Sequence, residues 1–252
     1  MNYLTKYFEE KEIAHIVMNN PKKLNALSPK MSESLIGNFI KAERSPNVKM
    51  IILSSSGDSF CAGGDINTME SLHSLEDIFN WMESSSNLTK IMREMEKYIV
   101  SAVNGHIAGA GISLALASDF VIAHESSKFT FSFSNIGLIP DLGLLKLLTE
   151  RVPINVAKEW ISFAKSLNAH EALNYHLVNK VEKGTQDILI DAIEFSKHLL
   201  NNSYKSNKFT KEVLNNIDSI NLNETIYKEN LIQTILLQSD YHKEKAKLFL
   251  NK

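Results

Sequence analysis

The chain has 252 residues, 44% of them hydrophobic and 22% charged, with a formal net charge of −2, a balance suited to one α/β core with an extension. It excludes the basic field that nucleic acid or an anionic membrane surface demands, and three Arg against 24 Lys leave few bidentate forks for phosphate. Cys61 is the only cysteine, so no disulfide can form within the chain and a reducing compartment is expected.

Residues 4–18 alternate loosely, with Ile13, Ala14, Ile16 and Val17 apolar. They read as paired strands closed by the turn cluster Asn19-Asn20-Pro21. Residues 1–6 hold no apolar stretch of the secretory kind, and a cytoplasmic location is expected. A helix is predicted from Pro29 to about Arg44, with Ser28 as N-cap and Pro at the first helical position, where its missing N–H costs nothing. Residues 48–53 form a short apolar run of buried-strand character. A loop with Gly57, Gly63 and Gly64 leads into helical sequence over about 75–95, and a second buried strand spans 98–103. The small, apolar run 107–117 is too short to cross a bilayer and reads as a buried helix. A strand over 120–123 follows.

Repeated strand–loop–helix units argue for an α/β fold with parallel strands. From Asp187 onward the pattern changes, and residues 188–200, 209–217 and 226–237 all carry helical spacing. The expected division is an α/β core over 1–190 and a helical region over 191–252. Apolar residues on one face of the later helices suit packing on a neighbouring subunit.

Two strand-to-helix junctions carry the chemistry. One is Ser59-Phe60-Cys61-Ala62-Gly63-Gly64-Asp65-Ile66, and the other runs Ala102-Val103-Asn104-Gly105-His106-Ile107-Ala108-Gly109-Ala110-Gly111-Ile112-Ser113. Small residues let a ligand meet the backbone closely, and the second junction opens a helix with its N–H groups forward. Two such N–H groups converging on one oxygen would form an oxyanion hole. Each glycine cluster alone also fits a tight turn or close helix packing. Their order and separation single out the pair.

With these motifs the sequence resembles the crotonase, or enoyl-CoA hydratase/isomerase, family over essentially its whole length. The likeness includes Asn20-Pro21 with Leu24-Asn25-Ala26-Leu27, then Phe60 to Ile66, then Ala102-Val103-Asn104-Gly105 with Gly109-Ala110-Gly111. It continues through Ala117-Ser118-Asp119-Phe120, Gly137-Leu138-Ile139-Pro140-Asp141 and Ala169-His170-Glu171-Ala172 before Leu177-Val178. The resemblance implies a spiral of ββα units ending in a helical trimerisation region, assembled as a homotrimer or hexamer. It implies an acyl-CoA substrate whose thioester oxygen is held by the backbone N–H groups of Gly64 and Ala110. Lys23, Leu24, Ala26 and Leu27, with Ala62, Asp65 and Ile66, would line the coenzyme A site. Coenzyme A enters as part of the substrate, and no metal or redox cofactor is expected.

Hydratases of the family carry two glutamates, and matching the motifs places those positions at Ser113 and Phe133, neither of which exchanges a proton near neutral pH. The remaining carboxylate at a family catalytic position is Asp141. Isomerases of the family often use a single acid there, and one carboxylate suffices to move a proton from C2 to C4 of a 3-enoyl thioester. Apolar walls are expected from Phe131, Phe133 and Ile136. Pro140-Asp141 before a predicted helix also fits an N-cap, so Asp141 admits two readings. Asp65 and Asp119 read as loop-ordering or capping residues, His106 as a packed loop residue, and Cys61 as a small buried one. His73 lies in a mobile-looking stretch from which it would approach the acyl group, a weaker candidate than Asp141. Two family glycines are missing: Leu142-Gly143-Leu144 stands for a glycine pair, and His176 precedes Leu177-Val178. The expected activity is that of a Δ3,Δ2-enoyl-CoA isomerase or a ring-enoyl relative. The alternatives are an enoyl-CoA hydratase and, in another class, a non-catalytic acyl-CoA-binding scaffold.

Overall fold

A computed structural model describes residues 3–184 and 187–250. The chain opens with an antiparallel hairpin of β1 (Thr5–Glu10) and β2 (Ile13–Met18), followed by α1 (Pro29–Arg44). The helix starts where capping chemistry places it: the Met31 N–H donates to the Ser28 hydroxyl at 3.3 Å, with Pro29 in the first turn. Next come β3 (Met50–Ser55), α2 (Ile66–Ser71), α3 (Leu75–Glu94), β4 (Tyr98–Val103), β5 (His106–Ala108) and α4 (Ala110–Leu116). They lead to β6 (Phe120–His124), β7 (Lys128–Thr130), α5 (Leu144–Thr149), α6 (Ile154–Ser162), β8 (Ser166–Asn168), α7 (Ala169–Asn174) and β9 (Lys180–Glu182). Four helices close the chain: α8 (Ile188–Leu200), α9 (Tyr204–Asn215), α10 (Leu222–Leu237) and α11 (Asp240–Leu250).

The larger sheet has the order β1-β2-β3-β4-β6-β9 and is parallel from β2 onward. The smaller has the order β5-β7-β8. β4 passes to β5, and β6 to β7, so these two turns of chain each lay one strand in each sheet before the next helix, the expected ββα spiral. β3 and β4 are buried on both faces, which is why they read as unbroken apolar runs. Ile51, Leu53, Ile99 and Val103 face the main core with Leu35, Phe39, Leu88 and Met92. Met50, Ile52, Val100 and Ala102 face the other way, toward Ile188 and Ala192 of α8.

That second layer bears on the division expected near residue 190. The position falls inside α8, and the apolar side of α8 covers the back of the core sheet. The run 107–117 also differs from expectation. Ile107 lies in β5 and pairs with Phe129 of β7. Gly109, at φ 51 and ψ −125, turns the chain before α4 begins at Ala110, a conformation that glycine adopts without a Cβ clash.

A buried cation helps tie α9 to the core. Lys211 of α9 reaches inward, its Nζ 2.8 Å from Asp119 Oδ2, 2.8 Å from the Lys97 carbonyl and 3.3 Å from the Met92 carbonyl. Beyond it, α10 and α11 bury no residue and expose Tyr227, Leu231, Ile235 and Phe249. Among the described residues no helix is long and apolar enough to cross a membrane.

Candidate active site

The first loop is held by a buried amide. Leu24 and Asn25 both take left-handed conformations, φ 47 and 54, which turns the Asn25 side chain into the protein. Its Oδ1 accepts from the Asn20 N–H at 2.8 Å, and its Nδ2 donates to the carbonyls of Ser56 at 3.0 Å and Ser59 at 2.9 Å. Backbone bonds then lace this loop to the next. The Ala62 N–H donates to Leu24 O at 3.0 Å, Leu27 N–H to Gly63 O at 2.7 Å, and Asp65 N–H to Leu27 O at 3.0 Å. On its other side the Cys61 segment bonds to β5 through Ala108 N–H to Cys61 O at 2.9 Å and Cys61 N–H to His106 O at 3.2 Å.

This lacing brings the two glycine junctions into contact. A Cβ at Gly63 would stand 3.1 Å from Ala108 O and 3.6 Å from Ala110 N, and one at Gly109 would stand 3.8 Å from Gly63 Cα. At Gly111 a Cβ would collide with the Cys61 carbonyl. The absence of side chains is therefore what permits the approach. Among the described residues, neither the Gly64 nor the Ala110 N–H donates to a protein acceptor, so two unused donors lie on adjoining segments.

Asp141 lies in the turn before α5. The N-cap of that helix is Gly143, at φ 79, without a side-chain bond, so the Asp141 carboxyl does not cap it. Burial pushes this carboxyl up to about 6, against the opposing pull of its own backbone N–H and of the Ser113 hydroxyl. Ser113, fully buried on α4, is thus near enough to bias the carboxyl. Neither Ser113 Oγ nor Asp141 Oδ1 has a hydrogen bond of regular geometry to another protein group. Burial holds the Cys61 thiol up at about 12, with a smaller contribution from the Asp141 charge. It stays a neutral thiol, 3.8 Å from Gly63 O.

The remaining expected positions separate by depth. Lys23, Leu24 and Ile66 are exposed, Ala26 and Ala62 half-buried, and Leu27 buried. Lys23 Nζ pairs with Asp65 Oδ2 at 2.9 Å, while Asp65 Oδ1 accepts from the Asn67 N–H at the start of α2. Phe133 is buried, its ring 3.9 Å from where a Gly109 Cβ would be. Of the other expected apolar walls, Phe131 is buried with its ring centroid 5.5 Å from that of Trp160, and Ile136 is exposed on a 3-10 turn. Asp119 orders structure, accepting from the Ile99 N–H at 2.8 Å. His106 is exposed on β5 rather than packed, and His73 is exposed between α2 and α3.

Sequence reasoning missed the residues that close the space over these loops. A Cβ at Gly64 would lie 2.5 Å from the Met69 methyl and 3.9 Å from the Trp81 ring, and one at Gly143 would lie 3.9 Å from the Thr89 methyl. The available signal is spacing: Trp81, Ser85 and Thr89 recur every four residues and share one face of α3.

The two-sheet ββα spiral carrying these paired loops is the crotonase fold. The sequence model of the enoyl-CoA hydratase/isomerase family matches residues 9–252, and the chain belongs to that family of enzymes. It is 29% identical to an enoyl-CoA hydratase/isomerase of Bacillus subtilis strain 168, over 95% of this chain and 93% of the relative. It is equally 29% identical to the 1,2-epoxyphenylacetyl-CoA isomerase of Escherichia coli K12, over 96% and 94%. The crystal structure of an enoyl-CoA hydratase from Polaromonas sp. JS666 superposes with a TM-score of 0.93 at 28% identity, over 98% and 96% of the two chains.

Proposed function

We propose that the chain is an enoyl-CoA isomerase, converting a 3-enoyl or ring-enoyl thioester of coenzyme A into its conjugated 2-enoyl isomer, with Asp141 as the base. The observation that carries this reading is one buried carboxyl, pushed up to about 6, beside two backbone N–H groups without protein acceptors. A base whose pKa lies near neutral serves both to accept and to return a proton. In this scheme the ionised Asp141 removes a proton from C2, the electron pair delocalises through the C3–C4 double bond and the carbonyl, and the charge settles on the thioester oxygen. The Gly64 and Ala110 N–H groups receive that oxygen, stabilising the dienolate more than the neutral ester. Asp141 then returns the same proton to C4, so the reaction balances with no metal or redox cofactor.

Lys23, Leu24, Ala26, Leu27, Ala62, Asp65 and Ile66 line the coenzyme A side in this reading, and Ser113 and Phe133 the acyl side. Hydration is disfavoured because Ser113 and Phe133 stand where the family's hydratases place two glutamates. Assembly as a homotrimer or hexamer is supported by the exposed apolar residues of α10 and α11. The test is a paired assay following the absorbance of the conjugated enoyl thioester. A rise with a 3-enoyl-CoA, no change with a 2-enoyl-CoA, and collapse of turnover in Asp141→Asn with acyl-CoA binding retained are expected. A fall with the 2-enoyl-CoA would establish a hydratase. Binding without turnover of either would leave a scaffold.

A further inference from the structure

We propose that Ser113 is a positioning residue for the base: its hydroxyl donates to Asp141 Oδ1 and leaves Oδ2 to exchange the proton with the substrate. The inference rests on Asp141 being the base of the proposed reaction. Ser113 is fully buried, one turn into α4. It lies three residues after Ala110, so the hydroxyl shares its helix face with a carrier of one unused N–H. Ser113 Oγ and Asp141 Oδ1 are both sealed from water, and neither has a regular hydrogen bond elsewhere. Asp141 Oδ2 is not sealed in this way.

Other buried serines set Ser113 apart. Ser196 of α8 bonds back to the Ala192 carbonyl at 2.7 Å, the usual course for a hydroxyl inside a helix. Ser101 and Ser118 bond each other at 2.7 Å, and Ser127 donates to Val103 O at 3.0 Å. Ser113 makes no bond back to its own helix. A buried hydroxyl withheld from its backbone is destabilising unless another acceptor completes it. The side chain on which this one acts is Asp141.

The surroundings leave the hydroxyl no rival. α4 carries no charged residue. Lys146 of α5 pairs with Glu150 and Asp218, and Arg93 of α3 pairs with Glu150. No charged group of α3 or α5 acts on Asp141. Cys61 faces the carboxyl from the first junction, but its thiol is held up at about 12 and stays neutral where Asp141 ionises. A hydroxyl bonds a carboxylate more strongly than it bonds the neutral acid. Ser113 therefore works against burial, which pushes the carboxyl up to about 6, and it leaves the charge that the reaction uses in place. With Oδ1 held, the carboxylate presents one oxygen to C2 and C4 alike, and the proton returns from the atom that took it.

The experiment follows the Asp141 carboxyl by carbon-13 NMR through a pH titration of wild type and Ser113→Ala, the signal being identified by its loss in Asp141→Asn. In parallel, kcat and KM are measured with a 3-enoyl-CoA over the same pH range. Removing the hydroxyl is expected to move the titration midpoint upward by about one pH unit. The rise of kcat moves with it, and KM stays within about twofold. Ser113→Cys, a weaker donor of similar shape, falls between the two. A role in packing alone would lower Tm, or lower kcat equally at every pH, with the midpoint fixed, and that result overturns the proposal. Isomerase activity with an unmoved midpoint overturns it alone. A shifted midpoint in a protein that isomerises no 3-enoyl-CoA removes the reaction assignment and leaves the positioning of Asp141 by Ser113 in place.

Discussion

Asp141→Asn is expected to stabilise the fold at neutral pH while abolishing turnover. Burial raises the carboxyl from 3.8 to about 6, so the folded chain holds its proton more tightly than the unfolded chain does. At roughly 1.4 kcal/mol per pH unit, ionising Asp141 in the folded state costs about 3 kcal/mol at pH 7. Partial solvent access brings the expected figure nearer about 2 kcal/mol. Below pH 3.8 the carboxyl is protonated in both states and the cost is absent. It grows between 3.8 and about 6, and is complete above that. Asparagine keeps the shape without the charge. Urea unfolding of wild type and variant at pH 4 and pH 7 therefore shows little difference at the lower pH and a more stable variant at the higher. Wild-type kcat rises as the pH passes through about 6, where the base ionises in the folded chain. A variant less stable than wild type at pH 7, or an equal gap at both pH values, would refute the claim that Asp141 is a desolvated carboxylate.

Two further outcomes follow from buried charge and backbone conformation. Lys211→Met is expected to cost about 3–5 kcal/mol in urea unfolding, because it leaves the Asp119 carboxylate buried without its cation. Adding Asp119→Asn restores part of that loss, and a loss below about 1 kcal/mol would show the pair to be dispensable. His176→Gly is expected to raise Tm by about 2–4 °C, since the exposed His176 holds φ 60 at the end of α7, where a side chain is strained. A lower Tm would mean that the imidazole makes contacts worth more than the strain.

The parts of the fold readable in the sequence are those that local chemistry decides. Ser28 and Pro29 start α1 by capping, and the strand predicted over residues 98–103 is β4 residue for residue, because a fully buried parallel strand is apolar on both faces. The two glycine junctions were visible as small residues, and the structure adds their mutual contact. What escaped is whatever depends on partners distant in sequence. The spacing of Trp81, Ser85 and Thr89 shows a shared face, but only the folded α3 shows that the face turns toward Gly64 and Gly143. The apolar stripe of α8 likewise does not say that its partner is the back of the core sheet. Phe131 and Ile136, expected as apolar walls with Phe133, differ in depth. A short 3-10 turn at Ser134–Ile136 sends Ile136 outward, and Trp160 takes Phe131.

The bridging of the Cys61–Asp65 segment to the first loop on one side and to β5 on the other has a metric consequence. Neighbouring strands in a hydrogen-bonded ribbon run about 4.8 Å apart, so that spacing acts as a ruler for groups carried on adjoining segments. Two N–H donors at about that separation can each reach a single oxygen between them at about 2.9 Å. Cys61 and Ile107 are bridge partners, so the segments that carry Gly64 and Ala110 leave from one repeat of the β-ribbon. Side-chain substitutions around the pocket can change what the site accepts while the ruler stays fixed.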